Sequence, residues 1–552
     1  MPMRLPYGHT GAYNIPLHEY VLRECKKQHD LDNAKACLID GETGARLTYG
    51  QLIVLARKVE TFLHGSKVKF GDRILLYLPN CVEYMSICVG ASLRGVVTSL
   101  ANPAYTEYEV GKQIDDCDPV FVFTCDSLLD KLMTALKTRH TTLKVVCLRE
   151  PRSSTSLPKA VIDFGEILKV LPKFDLKPAK ANSESDVCLL PYSSGTTGTP
   201  KGVMITHTNI CTMIRTLDKH YIHETYENFD FAKETQLKIL PLYHMYGFTM
   251  TLVHIMAGSR VVLLKKFDPP LFLRIVQDYK IRSLMLVPPL VLFLAKHPLV
   301  DQFDLSSVEY VVCGAAPLGK VLQEELMNRF PNIKAVLQGY GMTETTLAAF
   351  RPIVRNDRFG NGGVLMTNFE AKVLDVSTGQ EVAVGSTGEI CARGPCVMKG
   401  YWRNPRATHQ TIDKDGWVHS GDIGYIDKDY LVFIVDRLKE LIKVKGLQVA
   451  PAELEDIILT HPAVADCAVI GVADARAGEL PKAFVVLKTD VDTAAVTEQH
   501  IQAFVKDKVA DFKRLAGGVA FVSDIPKSAS GKILRRQLRD DPKYSTKLVA
   551  KL

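Results

Sequence analysis

Short apolar runs at 74–78, 120–123, 145–148 and 187–190 alternate along the chain with amphipathic stretches such as 48–63 and 107–116. A wholly apolar run of this length suits a strand buried on both faces, and apolar positions spaced three to four apart suit a helix lying on it. The pattern therefore predicts an α/β fold with helices packed on sheets. From about 369 to 435 the pattern changes. Short β-like runs at 371–376, 388–391 and 431–435 are separated by glycine and turn residues, which predicts a small β-rich unit. Asp436-Arg437-Leu438-Lys439-Glu440 then interrupts the apolar run before it, and a new alternation of helix and strand starts near Pro451. A small C-terminal domain of about 110 residues is expected there.

Composition narrows the class. With 47% hydrophobic and 23% charged residues in 552, the chain matches a soluble, well-packed protein and excludes disordered or collagen-like ones. A net charge of +7 is small beside 68 basic and 61 acidic side chains, and the basic residues form no stripe, which argues against nucleic acid as a partner. Thirteen cysteines show no CxxC pair and no zinc spacing, and their odd number cannot pair completely, so a reducing compartment is expected. The first residues lack the apolar core of a secretory signal. Residues 239–258 carry no Asp, Glu, Lys or Arg, but Pro241, His244, His254 and two glycines fit a buried strand and helix better than a membrane span.

The strongest local signal is Tyr192-Ser193-Ser194-Gly195-Thr196-Thr197-Gly198-Thr199-Pro200-Lys201-Gly202, directly after an apolar run. Glycines let backbone N–H groups approach phosphate oxygens, hydroxyls donate further hydrogen bonds, and Lys201 supplies a point charge. The spacing is not that of a Walker A loop, which ends in Gly-Lys-Ser/Thr. Alone, the segment would read as a flexible Ser/Gly/Thr turn. Four further motifs follow in order: Gln338-Gly339-Tyr340-Gly341-Met342-Thr343-Glu344, Trp417-Val418-His419-Ser420-Gly421-Asp422, the 436–446 segment through Lys443-Val444-Lys445-Gly446, and Pro526-Lys527-Ser528-Ala529-Ser530-Gly531-Lys532.

Together these motifs resemble the adenylate-forming superfamily, which includes acyl-CoA synthetases, 4-coumarate–CoA ligases and beetle luciferases. The likeness runs from about residue 45 to the end of the chain. It implies an N-terminal region, 1–436, of two αβ-layered subdomains plus a small β-barrel-like subdomain, a hinge at 437–440 around Lys439, and a small mobile α+β domain at 441–552. It also implies ATP and coenzyme A as co-substrates and Mg²⁺ as cofactor. By the resemblance, Ser193, Ser194, Gly195, Thr196, Thr197 and Lys201 would bind the phosphates. Gln338, Gly339 and Tyr340 would line the adenine site, Asp422 and Arg437 the ribose, Thr343 the α-phosphate, and Glu344 would hold Mg²⁺, a hard cation suited to carboxylate oxygen. Lys532 would be the catalytic lysine of adenylation, set between two anions to offset their repulsion. A swing about Lys439 would bring Lys443 to the same site for thioester formation, with coenzyme A against Lys266, Lys445 and Gly446.

The same resemblance sets the acyl pocket around His244 and Tyr246 of Tyr243-His244-Met245-Tyr246, with Gly314, Ala315 and Gly339 as small-residue walls. These walls admit a flat aromatic acid or a medium to long alkyl chain. Thr367 stands where the family has a proline in Gly360-Asn361-Gly362-Gly363-Val364-Leu365-Met366-Thr367-Asn368, which is expected to loosen that turn. The gate also departs from the His-His-Gly-Phe of luciferases. An acyl-CoA ligase is the leading expectation, and a luciferase-like monooxygenase, an adenylation enzyme loading a separate carrier protein and a non-catalytic nucleotide-binding protein are the alternatives. Finally, Ala550-Lys551-Leu552 resembles the Ser-Lys-Leu peroxisomal address, so import through the peroxisomal receptor is expected, with a cytoplasmic location as the alternative.

Overall fold

The structure, a computed structural model, describes all residues except 1–2, 5–10, 138, 140–142, 151–152, 154–155, 194–199, 219–224, 227, 445–446, 475, 489–490, 492–495, 529–530, 542 and 545–552. The apolar runs of the first half become the middle of an eight-stranded sheet. Val187–Ser193, Val97–Leu100, Arg73–Leu76, Phe121–Cys125 and Lys144–Leu148 lie side by side in that order, all parallel. Phe121–Cys125 is buried at every position, which explains why Phe121, Val122 and Phe123 are apolar in succession rather than alternating. The amphipathic stretches become the helices Tyr49–Gly65 and Glu107–Cys117, each opened by a capping box, Thr48 with Gln51 and Thr106 with Glu109.

A second, seven-stranded sheet places Ala335–Gln338, Tyr310–Cys313, Ser283–Leu286, Thr235–Lys238 and Arg260–Leu263 side by side, again parallel. The two sheets share one hydrophobic core. Ile74, Leu76, Phe121 and Phe123 of one sheet and Leu38, Val261, Leu263 and Met285 of the other enclose the helices Leu17–Leu31, Tyr49–Gly65, Tyr84–Leu93, His207–Thr216 and Met245–Met256. Separate cores cover the outer faces, so the region is layered αβαβα. Gly90 sits where two central helices approach most closely: a Cβ there would lie 2.6 Å from the Ala56 carbonyl oxygen.

The β-rich stretch forms a five-stranded antiparallel sheet in which Glu370–Leu374, Gly388–Arg393, Val418–Ile426 and Val432–Arg437 are neighbours. Its outer strand is Met3–Arg4, a pairing with no forerunner in the sequence pattern. The turn that lacks the family's proline closes without it: Asn368 takes φ +74 and anchors Thr216 Oγ1 through its amide at 3.3 Å. The C-terminal α+β unit begins with strands Ile442–Val444 and Leu447–Val449, earlier than the Pro451 start that the pattern predicts. It continues with helix Pro451–Leu459, the long hairpin Val464–Asp474 and Gly478–Leu487, helix Glu498–Lys506 and strand Val519–Phe521. Among the described residues no helix is long and apolar enough to cross a membrane, and 239–258 holds the buried helix Met245–Met256 with its strand just upstream. All thirteen cysteines are free.

Candidate active site

Parallel strands deliver their following loops to one edge of a sheet, and that edge is where α/β folds bind ligands. Here Cys313-Gly314-Ala315 and Gly339-Tyr340-Gly341 leave neighbouring strands on the same side and wall a cavity of about 90 Å³. His244, Tyr246 and Thr343 share its lining, so the structure gathers the expected acyl-pocket residues in one place. The deeper lining is apolar, with Leu217, Met250, Met285, Val312 and Leu347. Gly314 is needed for space: a Cβ there would lie 2.9 Å from Cε1 of Tyr246.

His244 caps the helix Met245–Met256 through Nδ1, which accepts the Tyr246 N–H at 3.3 Å. Burial, with the nearby charge of Lys532, holds its imidazole down to about 4, so it is neutral at physiological pH. Lys532 reaches this site from the C-terminal domain. Its loop docks where Gly531, at φ +77, meets Val287 and Pro289: a Cβ on Gly531 would lie 2.9 Å from Val287 Cβ. Burial and then Arg437 push the Lys532 ammonium down to about 8, against the raising pull of Glu440, Asp422 and Glu344. A cation therefore faces the carboxylates of the nucleotide motifs across the domain seam. Lys443 does not. It stands exposed on strand Ile442–Val444, its N–H donating to Glu479 Oε2 at 2.8 Å.

Asp422 and Arg437 are register partners on adjacent strands, and Arg437 Nε lies 3.2 Å from Asp422 Oδ1. The Tyr340 hydroxyl donates to Asp422 Oδ2 at 2.7 Å. Burial raises the Asp422 carboxyl above the ordinary value, opposed chiefly by Arg437. His419 braces this strand from the side. Hydrogen bonds to Cys391 and Glu389 lift it to about 10, and Glu389 in turn accepts the Gly421 N–H at 3.0 Å.

Glu344 is 3% exposed, and the hydroxyls of Ser193 and Tyr401 both converge on its Oε1, at 2.9 and 2.7 Å. Neither donor is cationic, and no ion pair of Glu344 occurs among the described residues. Its second oxygen therefore offers the hard, anionic ligand that Mg²⁺ prefers. Lys201 lies 4.9 Å from the centre of the Tyr401 ring, on the same side of the site. Gln338 is placed differently from a nucleotide-facing amide. Its side chain is spent on the loop before it, accepting Leu318 N–H at 2.8 Å and donating to Leu318 O at 3.0 Å, so the contact left to it is backbone. Lys266 and Lys439 are exposed in turns. Ser194, Gly195, Thr196, Thr197, Lys445, Gly446 and the Ala550-Lys551-Leu552 tail lie outside the described residues.

Two supporting residues, Tyr401 and Arg535, escaped the motifs, and a third, Asp436, stands in one without an assigned role. Tyr401 orients Glu344. Arg535 pins the segment after Lys532 by pairing with Glu440 at 2.6 Å and Glu455 at 2.8 Å. Asp436, 5% exposed, accepts the Arg437 N–H at 2.6 Å and the Ala452 N–H at 3.0 Å, tying the β-rich sheet to the start of helix Pro451–Leu459. Tyr and Arg at these positions carry no local pattern, and only the fold brings them to the site.

Comparison with known proteins agrees with this geometry. The family described as AMP-binding enzyme matches residues 25–402, and the one described as AMP-binding enzyme C-terminal domain matches 453–532. The chain is 41% identical to 4-coumarate–CoA ligase 1 of Petroselinum crispum over 537 residues, covering 95% of this chain and 94% of that one. The crystal structure of ATP-bound MatB from Rhodopseudomonas palustris superposes with a TM-score of 0.81 at 28% identity, over 95% of this chain and 99% of that one. The o-succinylbenzoate CoA synthetase MenE of Bacillus subtilis, in complex with its acyl-adenylate, does so at 0.76 and 25%, over 94% and 98%. Matched by the family over most of its length, the chain belongs to the AMP-binding enzymes, the superfamily that forms acyl adenylates.

Proposed function

We propose that this ATP-dependent, AMP-forming acid–thiol ligase joins a hydrophobic carboxylic acid to AMP and then passes the acyl group to coenzyme A. The observation that carries the reading is the position of Lys532, which faces Asp422, Glu344 and His244 from a separate domain while Lys443 stands outside. A carboxylate oxygen attacks the α-phosphorus of ATP, the bond to pyrophosphate breaks, and Lys532 offsets the repulsion between the two anions. Thr343 would donate to the α-phosphate, and Asp422 with Arg437 would hold the ribose. Glu344 would hold Mg²⁺, which supplies charge neutralisation on the phosphates when bound. In the second step the thiol attacks the acyl carbonyl and AMP leaves. That step needs other neighbours, and a rotation at 437–440 presenting Lys443 provides them. The relatives named as CoA ligases support coenzyme A as acceptor. Pyrophosphate release measured with a panel of acids, with and without coenzyme A, tests the proposal. Thioester formation supports it, whereas adenylate formation with no thiol acceptor, or light output with luciferin, favours the carrier-loading or luciferase-like readings.

Pocket size follows from Gly314. Gly314→Val drives a side chain into Tyr246, and kcat/KM for aromatic and long-chain acids is expected to fall about 10–100-fold relative to that for two- to four-carbon acids. A uniform loss across all acids would show that Gly314 serves folding alone.

We also propose a peroxisomal location. The Ala550-Lys551-Leu552 ending supports it, and a fluorescent protein fused to the N-terminus is expected to give puncta that disperse when those three residues are deleted. A diffuse intact fusion refutes it and favours the cytoplasm.

A further inference from the structure

Helix Met245–Met256 covers one face of the seven-stranded sheet, and its register there is informative. Tyr246, Met250 and His254 fall at i, i+4 and i+8, one stripe along the helix. Opposite them, Leu237 pairs with Leu284, which sets Gln236 beside Ser283 and Lys238 beside Met285 on the face toward the helix. Tyr246, Met250, Met285 and Val312 line the acyl cavity. Behind that wall the buried side chains change character.

Lys238 is 1% exposed, and its Nζ lies 3.1 Å from the Met285 sulfur, a weak acceptor. Among the described residues it has no carboxylate partner, and burial pushes its ammonium well below the ordinary lysine value. His254, fully buried and stacked on Phe231 at 5.5 Å, has no hydrogen-bond partner for either ring nitrogen among the described residues. The amide oxygen and nitrogen of Gln236 are both without a partner among the described residues. Buried polar groups are ordinarily satisfied, and a cluster of unsatisfied ones against a lysine is costly unless something else completes it. The cluster adjoins the wall of the cavity, separated from it by Met285, a flexible thioether. His254 stands ten residues along the helix from His244 at the reacting end, about 15 Å at helical rise.

We propose that the acyl cavity ends in a polar subsite, formed by Lys238, His254 and Gln236, that receives a hydrogen-bond-accepting oxygen at the far end of the substrate. The substrate class is thus an acid with a second oxygen function, a distal carboxylate or hydroxyl, rather than a plain alkyl chain. Lysine and imidazole supply donors, and the Gln236 amide supplies a donor and an acceptor, so the set accommodates either function. Met285 moves aside to admit it. The inference rests on reading this cavity as the acyl pocket.

Pyrophosphate exchange with chain-matched sets of acids, each set comprising the plain monocarboxylic acid, its terminal hydroxy form and its dicarboxylic form, tests both levels separately. The wild-type enzyme is expected to favour at least one oxygenated form by about 10–100-fold in kcat/KM, the effect of one charge-assisted hydrogen bond. Lys238→Met and Gln236→Leu are expected to erase that preference while leaving the plain acid within about twofold. Melting temperature supplies a second readout. The favoured acid should raise it in the wild type and not in Lys238→Met, and Lys238→Met alone should not lower it, because it removes a buried amine lacking a strong partner. A wild-type preference for the plain acid in every set, or an equal loss on all acids in both variants, overturns the subsite and leaves the ligase reading intact. Absence of exchange with every acid overturns both.

Discussion

Lys532→Ala is expected to abolish adenylation, by about 10²–10⁴-fold in kcat, yet still convert a supplied acyl adenylate to the thioester. Lys443→Ala is expected to do the reverse. The asymmetry follows from geometry: Lys532 lies among Asp422, Glu344 and His244, while Lys443 is exposed on Ile442–Val444. Separate assays of pyrophosphate exchange and of thioester formation from the adenylate measure the two halves. Equal damage to both halves by either variant would contradict a two-orientation cycle. The adenylation half should also show an alkaline limb in kcat/KM. Lys532 acts as a cation, and it loses its proton as pH rises through about 8 in the free enzyme. In Lys532→Arg any remaining activity should lack that limb.

Asp422→Ala is expected to raise the KM for ATP by about 2–5 kcal/mol in binding terms while changing the KM for the acid little. Asp422 is the acceptor on which Tyr340 and Arg437 both converge, so its loss would remove the proposed ribose contact and leave two donors without their partner. Asp422→Asn, which retains the shape, separates lost charge from lost packing. An unchanged ATP constant in both variants would assign Asp422 to the fold of its strand only.

How much of this was readable in advance depends on range. Glycines, hydroxyls and charges within a contiguous motif announce themselves, because phosphate and ribose recognition is built from short loops. Thr343, Glu344, Asp422 and Lys532 each stand in such a motif. The apolar runs at 120–123 and 187–190, which fall in strands Phe121–Cys125 and Val187–Ser193, were likewise legible, since burial on both faces leaves an apolar run in place of alternation. Residues acting through tertiary register were not. Gln338 sits inside a nucleotide motif, yet its amide is consumed by Leu318 twenty residues away. Tyr401 reaches Glu344 from across the fold. Lys238 shows only as a charge at the end of a short strand, and nothing local reveals that the sheet buries it beside His254. Met3–Arg4 joins a sheet whose other strands lie more than 360 residues away, a pairing that local propensity does not encode.

The seam at Asp436 makes any rotation of the C-terminal domain a proton-linked event. Wedged between its own strand and the start of helix Pro451–Leu459, the Asp436 carboxyl is lifted by burial from 3.8 to about 6, against the pull of Arg535. A swing that parts Ala452 from Asp436 returns the group to water and to its ordinary affinity. The docked orientation therefore binds this proton more tightly, and acid favours it: the advantage is complete below about pH 4 and is lost as pH rises through about 6. At neutral pH the carboxylate is ionised either way, and docking holds that charge out of water while release does not. Mild acid should accordingly lengthen the stay of the domain over the adenylate before the thiol is admitted, slowing the handover between the two chemistries rather than either bond-forming step.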